Sequence, residues 1–161
     1  MNAFATLLPV IFPIIAGIGL LPVKFKDRKD REKWVLSIVV LNALFALYAI
    51  WGVGGAYVTL FRFSEKLSLG FHIDGLSKVF GTMVSLLWII TTVYAFEYMT
   101  HEGKEDKFFA FFIMTFGVVL GIAFSGNFLT MYLFYEFLTL ATLPLVMHAM
   151  DNKARHAGKT Y

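Results

Sequence analysis

The 161-residue chain contains no cysteine. That excludes disulfides, thiolate-held zinc, covalently attached haem and iron–sulfur clusters on this polypeptide, so any redox centre belongs to a partner. Charge is scarce as well, with Lys, Arg, Asp and Glu at 16% of residues. Proline occurs four times, and no Pro/Ser-rich linker, low-complexity stretch or internal repeat divides the chain. The four histidines include no pair spaced to ligate haem. Residues 1–6 hold no Lys or Arg, so the first apolar run lacks the basic flank of a signal peptide and reads as a retained helix. The net charge is +3 and the isoelectric point about 9.1, yet the basic residues sit in connectors and do not interleave with aromatics on a polar face. Nucleic acid is therefore not an expected partner.

What the chain has in excess is apolar surface. Hydrophobic residues make up 58%, Phe alone numbers 18, and the mean hydropathy is +0.71. An ordinary soluble domain is about 45–50% apolar. The excess falls in five blocks, at about 4–22, 34–53, 76–96, 108–124 and 128–150. Each is long enough to cross a hydrocarbon layer as a helix. The expected fold is an all-α integral membrane protein of five transmembrane helices, forming one domain over residues 1–161. Only Ser125-Gly126-Asn127 separates the last two blocks, which predicts a tight antiparallel helix pair. Between the second and third, Phe61, Phe63, Leu67, Leu69, Phe71 and Ile73 alternate with Arg62, Ser64, Lys66, Ser68 and His72. That period of two predicts a short β-hairpin on the external membrane face, within residues 57–73.

Connector charge orients the bundle. Residues 24–33 carry six Lys/Arg, 100–107 two, and the tail after Met150 three, against Arg62, Lys66 and Lys78 on the other side. Eleven against three places the N-terminus outside and the C-terminus in the cytoplasm, as for a prokaryotic-type inner-membrane protein.

Glu136 is the carboxylate that sits deepest in these blocks. At about 1.5 Å per residue it lies roughly 12 Å past Phe128, near the middle of a span. A carboxylate there is costly and normally faces protein or a wet cavity, so the default reading is a proton or ion site. Tyr132 and Thr139 lie on the same side of the helix at i−4 and i+3. Pro144 cannot donate to the carbonyl of Leu140, leaving an acceptor free and weakening the helix. Desolvation favours the neutral carboxyl and a nearby cation the ionised one, so a group between the two influences can exchange protons. His148, three turns on, is a candidate relay to bulk water. The competing bland readings are an interhelical hydrogen bond for Glu136 and a solvated helix end for His148. Asp74 reads as the N-cap of the third span, and Gly117 and Gly121 as a close-packing pair. No catalytic, cofactor-binding or metal site is expected.

Three stretches carry a resemblance: Phe71-His72-Ile73-Asp74-Gly75-Leu76-Ser77, then Tyr94-Ala95-Phe96-Glu97-Tyr98-Met99, then the run from Ser125 to Glu136. They resemble the N-terminal part of the antiporter-like membrane subunits of respiratory complex I, membrane-bound hydrogenase-type complexes and Mrp-type cation/proton antiporters. The resemblance implies a proton-pathway role for Glu136, paired with a lysine on a later helix. The chain stops at Tyr161 without such a lysine, so the expectation is a split or shortened relative whose counter-charge comes from another chain. It also implies other membrane subunits as partners and a proton- or cation-pumping assembly, driven by a redox reaction or an ion gradient. The alternative is a structural anchor with no transport activity of its own.

Overall fold

Lipid offers the backbone no hydrogen-bond partners, so an apolar chain of this kind must close its amides within helices. The computed structural model describes residues 2–53, 57–62, 68–100 and 105–146. Over these it forms α1 (Asn2–Leu20), α2 (Arg28–Gly52), α3 (Gly75–Met99), α4 (Glu105–Ala123) and α5 (Phe128–Val146). All five are long and apolar enough to cross a membrane. The chain is a multi-pass membrane protein. Strands β1 (Val58–Arg62) and β2 (Ser68–Phe71) lie between α2 and α3 and pair antiparallel, with a register irregularity between Thr59 and Phe61. The hairpin read from the alternation is present; residues 63–67 at its tip lie outside the described residues, as do 147–150 of the fifth expected span.

Among the described residues one helix start lies more than three residues from expectation. The second helix begins at Arg28, six residues before the apolar block. Both arginines of this first stretch find carboxylate partners. Arg28 pairs with Glu32 one turn on and with Glu97 of α3 at 3.3 Å. Arg31, only 8% exposed, pairs with Glu105 and with Asp106 (3.3 Å), both in the first turn of α4. Glu105 and Asp106 thus belong to α4 and are mostly covered. They also sit where the α4 dipole favours negative charge. The ends of α2, α3 and α4 are thus tied together on one side of the bundle.

Between helices in lipid, close packing replaces the hydrophobic effect as the source of attraction. Small side chains supply the closeness. Along α2, Val35, Val39, Ala43, Ala46 and Ala49 recur at helical spacing and are buried. On α4 the expected glycine pair serves two different neighbours. A Cβ on Gly117 would lie 2.5 Å from the Val10 carbonyl oxygen of α1 and 2.7 Å from Pro13 Cγ, whereas one on Gly121 would strike the Phe134 ring of α5. Trp88 of α3 stacks on Phe116 of α4 with ring centroids 5.0 Å apart. Large apolar side chains such as Leu44, Trp51, Leu76 and Ile90 face outward, as lipid contact requires.

Candidate functional site

The last helix hangs on the bundle by one face. Phe134 fills the space over Gly121 and meets Phe71 edge-on at 5.6 Å, while Thr130 is fully buried one turn earlier. At about 100° per residue, Glu136 stands about 200° round the helix from Phe134. Its side chain is exposed, on the face turned away from the other four helices. Tyr132, Tyr135 and Leu140 are exposed beside it.

Around Glu136 the structure brings together less than the spacing allows. Thr139 donates its hydroxyl to the Tyr135 carbonyl oxygen at 3.4 Å, and Tyr132 stacks on Phe128 at 6.5 Å. Among the described residues, no side-chain hydrogen bond or ion pair reaches Glu136. Pro144 lies inside α5, and the nearby Thr142 hydroxyl donates to the carbonyls of Leu138 (2.8 Å) and Thr139 (3.2 Å). His148 lies outside the described residues. No group of three or more His, Asp or Glu able to hold a metal occurs among the described residues.

At the start of α5 a polar lock fixes how the helix is presented. The Asn127 side-chain oxygen, Oδ1, accepts from the Thr130 amide and hydroxyl, each at 2.8 Å, which caps the helix. Its amide nitrogen donates to the Ser68 carbonyl (2.7 Å) and the Tyr57 hydroxyl (3.0 Å). Thr130 in turn accepts from the Gly70 amide at 2.9 Å. Backbone bonds from Gly126 to Gly70 and from His72 to Phe124, both 2.8 Å, complete the seam. At Gly70 the Tyr57 hydroxyl occupies the space a side chain would fill, so a larger residue there would displace Tyr57. The sequence reading found the turn but not its docking on the hairpin. The one available signal was the coincidence of Gly70, Gly126 and Asn127 in polar company.

Asp74 precedes α3 and accepts from the Ser77 amide at 2.7 Å. That backbone hydrogen bond, with help from the Ser77 hydroxyl, holds its carboxyl below the usual carboxylate range. The lowered value means the contribution is present above the unfolded-state pKa and is lost as pH falls through the folded-state one. Asp74→Ala is expected to cost about 0.5–2 kcal/mol near neutral pH, as for other N-caps. Chemical unfolding in detergent, followed by circular dichroism, should show the gap from wild type closing in acid.

Fold and site together define a class: a multi-pass helical membrane protein with, among the described residues, one carboxyl near the middle of an apolar helix, on the outward face of α5. A family model described as NADH-ubiquinone oxidoreductase (complex I), chain 5 N-terminus, matches residues 62–109. The chloroplastic NAD(P)H-quinone oxidoreductase subunit 5 of Malvaviscus arboreus is 24% identical over 148 residues, covering 86% of this chain and 21% of the relative. That of Piper cenocladum is 25% identical over 149 residues, covering 86% and 20%. The chain thus spans about a fifth of the length of the curated relatives it matches. A chain of the membrane-bound sulfane sulfur reductase, an archaeal respiratory membrane complex, shares the fold, with a TM-score of 0.71 at 18% identity over 98% of this chain and 24% of that one. The chain is thus similar in sequence to the N-terminal part of complex I-type chain 5 subunits and shares its fold with a subunit of a respiratory membrane complex.

Proposed function

We propose that this chain is a membrane subunit of an ion-translocating, complex I-like assembly and that Glu136 is a proton-pathway residue. One observation carries the reading: α5 presents a midspan carboxyl, flanked by Tyr132, on the face opposite its packing seam. In hydrocarbon an unpaired carboxylate is unfavourable, so a neighbouring helix must supply a cation, a donor or water. A lysine from another membrane subunit fits that need and would let the carboxyl gain and lose a proton as the counter-charge shifts. The relatives are subunits of quinone oxidoreductases, and the structural neighbour is a respiratory complex, which supports the reading. Glu136→Gln in the assembled complex, with ion translocation measured in sealed vesicles, tests it. Normal pumping would leave α5 as an anchor helix instead.

The orientation proposed is N-terminus outside and C-terminus cytoplasmic, in an inner-membrane-type bilayer. The ion-paired ends of α2, α3 and α4 then face the cytoplasm, and the hairpin with the α4–α5 turn faces out. Because the chain has no cysteine, single cysteines can be introduced on a clean background. Cysteine at Lys26 should resist an impermeant maleimide in intact cells and react after lysis, while cysteine at Thr59 should react in both. The reverse pattern would invert the topology.

A further inference from the structure

Asn42 lies in the middle of α2, is fully enclosed, and neither its amide nitrogen nor its carbonyl oxygen meets a partner among the described residues. The buried indole nitrogen of Trp88, in the middle of α3, is likewise without one. Helix register brings the two to the same level. Helices α2 and α3 are antiparallel, anchored by Arg28 on the Phe96 carbonyl (3.4 Å) at one end and Trp51 on the Thr82 hydroxyl (3.2 Å) at the other. Asn42 falls between these anchors, opposite the stretch holding Ser85 and Trp88. Helices α2 and α4 run in the same direction from the Arg31–Asp106 pair, and Asn42 is as far along α2 from Arg31 as Gly117 is along α4 from Asp106. Phe116, on which Trp88 stacks, is at that level too.

Ser85, Thr92 and Thr115 are buried nearby along α3 and α4, each donating its hydroxyl to a carbonyl of its own helix. Their oxygens keep the capacity to accept. The slab therefore combines unpaired donors from Asn42 and Trp88, an unpaired amide oxygen and spare hydroxyl acceptors. Buried polar groups in native interiors are almost always paired, with protein or with ordered water. Amide, indole and hydroxyl offer both donors and acceptors, and water, which is both, can satisfy each of them.

We propose that Asn42 and Trp88 hold internal water between α2, α3 and α4, a hydrated site inside the bundle and distinct from the outward Glu136 face. This is independent of the role given to Glu136. Radiolytic hydroxyl labelling tests it, because bound water turns its immediate neighbours into labelled residues. The intact chain, in the assembly with which it purifies, is equilibrated in oxygen-18 water in lipid nanodiscs, irradiated and read by mass spectrometry against exposed Trp34. Trp88 should take up label in the wild type, and Asn42→Leu should bring that label down to background. An unlabelled wild-type Trp88 would mean a dry slab and overturn the proposal. Unchanged labelling in Asn42→Leu would overturn the assignment to Asn42. Should that variant fail to fold, the wild-type result decides the matter alone.

Discussion

Glu136→Gln is expected to abolish or sharply reduce ion translocation by the assembled complex, with its assembly unchanged. Gln keeps the size and the hydrogen-bonding capacity of a neutral Glu but cannot release a proton. Packing should not suffer, because Glu136 stands on the exposed face of α5 while Phe134 and Thr130 hold the opposite face to the bundle. A structural hydrogen bond would survive the change, and an exchanging carboxyl would not. The two readings of this residue are separated by proton uptake in sealed vesicles, alongside a native-gel check of assembly.

Arg31→Met should carry the largest stability loss. The Arg31 side chain is nearly buried between two carboxylates that are themselves mostly covered. Removing the cation leaves Glu105 and Asp106 adjacent, partly desolvated and mutually repelling. Breaking a buried pair in this way typically costs about 3–5 kcal/mol, and the residual exposure of Asp106 puts the expected value toward the lower end. Arg28→Met should cost far less, since Arg28 is exposed and its partner Glu97 is mostly solvated, so water screens the pair. Thermal unfolding of both variants in the same detergent checks the ranking. Adding Glu105→Gln to Arg31→Met should recover part of the loss; no recovery would show that the ion cluster is not what Arg31 stabilises.

The spans were legible because lipid imposes a length and a composition that a single sequence displays directly. The hairpin was legible for a related reason, since Phe61 to Ile73 alternate at a period that helices do not use. What escaped was pairwise. The early start of α2 depends on Arg31 meeting acids some 74 residues away, and nothing local marks that. Glu136 drew notice by depth alone, yet its outward aim follows from Phe134 seating over Gly121, a contact between two helices. Asn127 read as a turn residue because its bonds to Ser68 and Tyr57 reach back across α3 and α4, 59 and 70 residues along the chain. Asn42 passed without comment in an Ala- and Val-rich helix, where a lone amide gives no sign of being fully enclosed.

Glu136 is proposed as one half of a charge pair completed from outside these five helices. The most direct test is a structure of the assembled membrane complex that resolves the outer face of α5. A lysine ammonium, or a water chain leading to one, is expected within hydrogen-bond reach of the Glu136 carboxyl. A Glu136 side chain in contact only with lipid acyl chains, or with an apolar helix face, would contradict it.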